Sequence, residues 1–259
     1  MKNSNKQRLD LAVLKRGLAA SRQRARALIM SGKILVNHKL IDKPGVPVAD
    51  QDEILLKEDD HPFVSRGGLK LEAALRAFQV VVAGKVCLDV GASTGGFTDC
   101  LLQHGARKVH AVDVGYGQLA WKLRQDPRVA VLERTNIRYL PFEKVGEPVD
   151  LVTIDVSFIS LRIVVPAVLP FMKENAAVLA LIKPQFEVGK GQVAKGGVVR
   201  DPRLHQQVLD ELMAFFNRMP LSVSGMIDSP ILGPKGNKEF FILLQRLPAD
   251  QDLPDDSPL

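Results

Sequence analysis

VCLDVGASTGGFTD, residues 86–99, runs from an apolar stretch through a glycine-rich turn into the start of a helix. Glycine in such a turn lets the main chain approach a ligand where a side chain would stand in the way. Gly91, Gly95 and Gly96 are spaced G-x-x-x-G-G. This is neither the G-x-G-x-x-G of dinucleotide sites nor the G-x-x-x-x-G-K-[ST] of phosphate-binding loops. The spacing favours a smaller, nucleoside-like ligand. Asp113 sharpens that reading, because it falls in the next apolar run, 109–114, where an acid can accept hydrogen bonds from a ribose diol.

Working outward, apolar strands are expected near 86–90, 109–113, 129–132, 150–155 and 177–183, with a final pair near 221–228 and 238–246. Helices are expected near 97–104, 117–124, 162–171 and 203–218. Strand–helix alternation of this kind predicts an α/β fold with a doubly wound sheet, its last strand antiparallel. Upstream, residues 1–60 read as a small basic α+β module. RLDLAVLKRG and SRQRARALIMSG (8–17 and 21–32) suit two short helices, the second capped by Ser21 and closed by Gly32. Short strands with turns at Asn37-His38 and Pro44-Gly45 follow. The expected organisation is a basic module over 1–60, a linker over 61–64, the α/β domain over 65–247 and an acidic tail over 248–259.

Charge is distributed unevenly along the 259 residues, whose net value is +6. Residues 1–43 hold eleven Lys or Arg against Asp10 and Asp42, while 248–259 holds four Asp and no base. A basic face of this kind suits a polyanion, and the tail has the composition of a disordered segment. Arg22 and Arg26 are four apart and share a helical face. Arg8, Lys33, Lys39 and Lys43 join them as candidate RNA contacts, and Lys190 and Lys195 in the glycine-rich stretch 184–202 suit a basic flap over RNA or cofactor. No apolar run reaches the ~20 residues of a membrane helix, and the polar opening MKNSNKQRLD reads without a secretory leader. Cys87 and Cys100 read as buried thiols rather than a disulfide, as suits a cytoplasmic chain. No His/Cys cluster has metal-ligand spacing, so no metal is expected.

Ligands of open α/β sheets sit beyond the carboxyl ends of the parallel strands. Asp155 closes the run LVTID and Lys183 closes AVLALIK. Glu239 opens the last strand, which, if antiparallel, begins at that same edge. Lys70 lies on the helix that enters the domain. Two lysines and two carboxylates at one edge make a charge-balanced cluster suited to proton handling.

SRGGLKL (65–71), LDVGASTGGFTD (88–99), DVGYGQLAWKLRQDPRV (113–129), ERTNIR (133–138), DVSFISL (155–161), KPQFEVGKGQV (183–193) and GGVVRDP (196–202) resemble the TlyA family. Residues 8–45 resemble the S4 RNA-binding domain. The resemblance implies a Rossmann-like class I methyltransferase, historically also labelled haemolysin, that uses S-adenosylmethionine to methylate a ribose 2′-hydroxyl of ribosomal RNA, a cytidine in 23S RNA with or without one in 16S RNA. It places the family's Lys-Asp-Lys-Glu tetrad on Lys70, Asp155, Lys183 and Glu239, with Lys183 as base or orienting group for the hydroxyl. Cofactor contacts are implied for Asp89, Gly91, Ala92, Ser93, Gly95, Gly96, Phe97 and Asp113. Asn136 stands where the adenine edge is expected, and its amide can donate and accept. Base methylation generally uses an Asn/Asp-Pro-Pro-aromatic motif, where this chain reads DVSF. A membrane-active cytolysin, or an RNA-binding protein without catalysis, is the alternative from another class, and a monomer is the expected state.

Overall fold

The computed structural model describes residues 6–19, 21–56, 62–189, 193 and 196–248. Lys190, Lys195 and all but the first residue of the expected acidic tail lie outside them. The chain divides into two compact units, Met1–Asp60 and His61–Leu259.

The first unit contains β1 (Lys6–Arg8), α1 (Leu9–Lys15), α2 (Arg22–Met30), β2 (Ile34–Val36), β3 (Lys39–Leu40), β4 (Pro47–Ala49) and β5 (Ile54–Leu56). Ser21 caps α2 as expected, accepting the Arg24 N–H at 3.1 Å. The Asn37-His38 turn joins β2 to β3 with both residues at positive φ, 50° and 62°, which matches the twist of a tight hairpin. β5, which sequence reasoning did not separate, adds antiparallel to β2, while β1 pairs with β4. Leu9, Val13, Ile29 and Ile34 form the centre of this small core.

The second unit runs α3 (Gly67–Ala77), β6 (Val86–Val90), α4 (Gly96–Gln103), β7 (Lys108–Val112), α5 (Trp121–Arg124), β8 (Val129–Leu132), α6 (Phe142–Val145), β9 (Val149–Ile154), α7 (Leu161–Val168), β10 (Met172–Ile182), α8 (Pro184–Glu187), α9 (Pro202–Phe216), β11 (Leu221–Asp228) and β12 (Phe240–Arg246). Seven strands form one sheet in the order β11-β12-β10-β9-β6-β7-β8. β12 runs antiparallel to both of its neighbours. β6 is buried at every position, as a central parallel strand covered on both faces must be. Two apolar layers, one on each side of the sheet, provide that cover. The stretch 184–202 is less irregular than its glycines suggested, because Pro184–Glu187 closes a helical turn.

One buried polar group makes the fold sensitive to acid. His110 is 1% exposed on β7, and neither ring nitrogen has a hydrogen-bond partner among the described residues. Burial first, then the Lys108 charge, pushes its pKa below the usual 6.5, against the pull of Glu147. Above that value both folded and unfolded chains carry a neutral ring. As pH falls through it, the unfolded chain takes up a proton that the buried ring resists, so stability drops on the acid side. In urea titrations at about pH 8 and about pH 5, His110→Leu should lose less stability between the two than wild type. An equal loss in both would remove His110 from the account.

Candidate active site

The sheet topology brings the four candidate side chains to one edge. Ile182 at the end of β10 pairs with Phe240 at the start of β12. Lys183 and Glu239, one residue beyond each, therefore leave adjacent strands at the same edge. On the other side of β10, β9 pairs with β6 so that Val90 meets Ile154, and the Asp155 N–H donates to the Val90 carbonyl at 2.9 Å. Asp155 thus emerges beside the glycine turn.

That turn is shaped by what it touches. Gly91 has φ +88°, and a Cβ there would meet the Asp155 carbonyl oxygen at 2.4 Å. No side chain fits that approach. At Gly96 a Cβ would fall 2.2 Å from Ser65 Oγ, so the turn also receives the chain entering α3. A cavity of about 410 Å³ opens over it, lined by Ser65, Arg66, Gly67 and Lys70, by residues 91–94, Gly96 and Phe97, and by Asp155, Lys183, Leu232, Gly233 and Glu239. Its size lies within the ~300–1,000 Å³ of small-molecule sites.

Within it the charges form two pairs. Lys70 Nζ donates to Glu239 Oε2 at 2.5 Å, deep in the wall. Lys183 Nζ lies 2.5 Å from Asp155 Oδ1 and donates to Ser157 Oγ at 3.3 Å. Glu239 is 1% exposed, and its Oε1 has no hydrogen-bond partner among the described residues. Gly233 makes room for that oxygen, since a Cβ there would stand 1.9 Å from it.

The other candidate ligand contacts divide. Gly91, Ala92, Ser93, Gly96 and Phe97 line the cavity, whereas Gly95 backs onto Leu119 and Leu123. Asp89 does not reach the cavity. It is fully buried under the turn, where Thr98 and Thr153 donate to its two oxygens at 2.6 and 3.1 Å. Its pKa is pushed up to about 7 by burial, against the pull of those hydroxyls. Asp89 therefore ties β6, β9 and α4 together. Asp113 lies beyond the lining and accepts the Ser93 and Gly115 N–H groups, each at 2.7 Å, so it helps to shape the turn. Asn136 caps a short 3-10 turn, accepting the Arg138 N–H at 3.1 Å.

Sequence reasoning missed a pair of phenylalanines just beyond two strand ends. Phe158 is 90% exposed at φ +64°, a costly conformation for a non-glycine residue, and its ring lies 4.9 Å from that of Phe186. Each phenylalanine follows a cavity residue, Asp155 or Lys183, by three positions. That repeated offset was the available signal. Arg66 and Ser65 were likewise visible only as part of SRGG.

Among the candidate RNA contacts of the first unit, Arg26, Lys39 and Lys43 are exposed, and Lys33 is half-buried. Arg8 and Arg22 both pair with the buried carboxylate of Asp10.

Two family matches account for the two units. The S4 domain matches residues 7–54, and the FtsJ-like methyltransferase family matches residues 63–246, most of the chain. The chain is an FtsJ-like methyltransferase with an S4 domain. Within these methyltransferases it groups with the TlyA proteins. It is 49% identical over 239 residues to the 16S/23S rRNA (cytidine-2'-O)-methyltransferase TlyA of Mycobacterium tuberculosis, covering 92% of this chain and 89% of that one. Identity to YqxC of Bacillus subtilis is 48% over 244 residues, 93% of this chain and 86% of the relative. A solved structure of a hemolysin-named protein from Streptococcus thermophilus superposes with TM-score 0.73 at 44% identity, covering 93% of this chain and 89% of that one. Among the described residues of this FtsJ-like methyltransferase no helix is long and apolar enough to cross a membrane. Nor does any group of His, Cys, Asp and Glu among them suit a metal ion.

Proposed function

We propose that the cavity binds S-adenosylmethionine and that the chain methylates a ribose 2′-hydroxyl of ribosomal RNA, a cytidine of 23S RNA with a 16S cytidine as second target. The observation that carries this reading is the meeting of two Lys–carboxylate pairs over the glycine turn, in one cavity at the carboxyl edge of the sheet. The printed name of the M. tuberculosis relative supports the nucleoside and both RNAs.

The residues present fit the cofactor. Gly91 and Gly96 pack so closely against Asp155 and Ser65 that neither could carry a side chain, so at these two positions the cavity is lined by main chain alone. When bound, S-adenosylmethionine supplies an electrophilic methyl group. Gly91, Ala92, Ser93, Gly96 and Phe97 would hold it, with Asp113 beside Ser93 for the ribose end. Asp113 can do so because each carboxylate oxygen already accepting one N–H keeps a second lone pair.

Lys183 carries the acceptor. Paired with Asp155 and donating to Ser157, it presents a remaining N–H with which to hold the 2′-oxygen in line with the methyl group. Alignment at ~3 Å supplies much of the acceleration in such a displacement. In the transfer the new O–C bond would replace the sulfonium S–C bond, the cofactor leaving as a neutral thioether, and Asp155 is the adjacent carboxylate that would take up the hydroxyl proton. Lys70 and Glu239 form the fixed wall behind that exchange.

Phe158 and Phe186 give the unstacked target base a face to rest on, as single-stranded RNA sites commonly do. Phe158→Ala should raise the KM for RNA by about tenfold or more while cofactor affinity stays unchanged. An unchanged KM would take the ring out of substrate contact. The reading as a whole is tested by incubating the chain with labelled S-adenosylmethionine and undermethylated ribosomal RNA or subunits. Label should enter the RNA, and its absence from both substrates would overturn the reading.

A further inference from the structure

Asp10 is a buried charge in a unit otherwise built on aliphatic packing. It stands in the first turn of α1, where its N–H donates to the Pro44 carbonyl at 3.1 Å. Its carboxylate is 0% exposed, while the Arg8 and Arg22 side chains are 51% and 52% exposed. Oδ1 accepts the Leu11 N–H at 3.1 Å and Arg8 Nε at 3.0 Å. Oδ2 accepts Arg8 Nη2 at 3.2 Å and Arg22 Nε at 3.0 Å. Arg8 is gripped side-on, and its Nη1 lies across the Pro44-Gly45 turn, where a Cβ on Gly45 would be 3.4 Å away.

A surface arginine ordinarily samples many rotamers, and an isolated exposed ion pair contributes little. Here one desolvated carboxylate holds two guanidinium groups at fixed positions, each by its Nε edge. The Nη groups not used on Asp10 remain available on the half-exposed side. Two planar cations locked side by side match the oxygens of phosphate groups, because guanidinium donors come in a rigid fork. The Arg8 contact comes first among the causes that hold the Asp10 pKa below the usual carboxylate range, so the clamp keeps its charge at neutral pH.

We propose that Asp10 is a positioning residue that fixes Arg8 and Arg22 as a two-arginine clamp for the phosphate backbone of the substrate RNA. The proposal rests on the reading that the first unit binds ribosomal RNA, and adds to it a residue whose own charge has the wrong sign for the task.

That sign makes the test sharp. The full-length chain is titrated with 23S ribosomal RNA transcript over a range of KCl, with S-adenosylmethionine binding as the control for the second unit. Asp10→Asn makes the chain one charge more positive, so a surface acting through net charge alone would bind more tightly. The clamp predicts binding weaker by about five- to tenfold. Because Asp10 is buried, the second variant leaves it in place. Arg8→Lys with Arg22→Lys keeps every charge but removes the forks, and it should weaken binding similarly with an unchanged salt slope. Wild-type affinity in the lysine pair, or wild-type or tighter binding in Asp10→Asn, would overturn the proposal. The reading beneath it is separately tested by Arg8→Ala with Arg22→Ala. If that variant binds as wild type with the same salt slope, the surface does not contact RNA and clamp and reading fall together.

Discussion

Lys183→Ala should lower the rate of methyl transfer by about a thousandfold while S-adenosylmethionine binding persists. The expectation follows from where the ammonium stands. It is held between Asp155 and Ser157 at the end of β10, with its side chain 11% exposed at the cavity wall. In the proposed reading an acceptor hydroxyl entering the cavity would meet this group, whereas the cofactor would rest on the main chain at Gly91 and Gly96. Loss of Lys183 therefore strikes the step in which the 2′-oxygen must be aligned and deprotonated, and leaves the glycine turn intact. Asp155→Ala should fall in the same range, because it removes both the partner that fixes the ammonium and the carboxylate that receives the proton. Single-turnover rates with saturating RNA, alongside calorimetric titration of the cofactor, separate these effects. Full activity in either variant would sink its assigned role.

Glu239→Ala should destabilise the second unit by about 3–5 kcal/mol, since it leaves a buried ammonium at Lys70 without its counter-charge. In a unit of this size that corresponds to a fall of roughly 10 °C in Tm. The decisive comparison is a double replacement, Lys70→Met with Glu239→Leu. Removing both charges together abolishes the orphan, so much of the lost stability should return. Activity should not return with it, because a neutral wall no longer fixes the charge distribution around Lys183 and Asp155. A double variant that was both stable and active would make the pair a structural feature alone.

The parts of this site that the sequence made legible are those governed by local pattern. The apolar run ending in G-x-x-x-G-G became, as expected, a strand, a close-approach turn and a helix. The antiparallel direction expected for the last strand was enough to bring Glu239 to the same edge as Lys183, and the Ile182–Phe240 register places the two residues side by side. Partner choice was not legible. Lys70 and Glu239 are 169 positions apart, and nothing local shows that they pair with each other. Asp89 shows the same limit. The resemblance implies a cofactor contact there, whereas its side chain points under the turn to two hydroxyls that only the folded sheet supplies. In the first unit β5 has three residues, too few to show a period of two. Asp10 looked like one acid among many bases until the fold buried it.

The central claim is that this cavity delivers a methyl group to ribose oxygen rather than to a base. It is tested most directly by nuclease digestion of the methylated RNA to nucleosides and mass spectrometry of the product. The account predicts that the added methyl is recovered on the sugar, as 2′-O-methylcytidine, and is absent when the Lys183→Ala chain is used. A methyl group found on the base would contradict it.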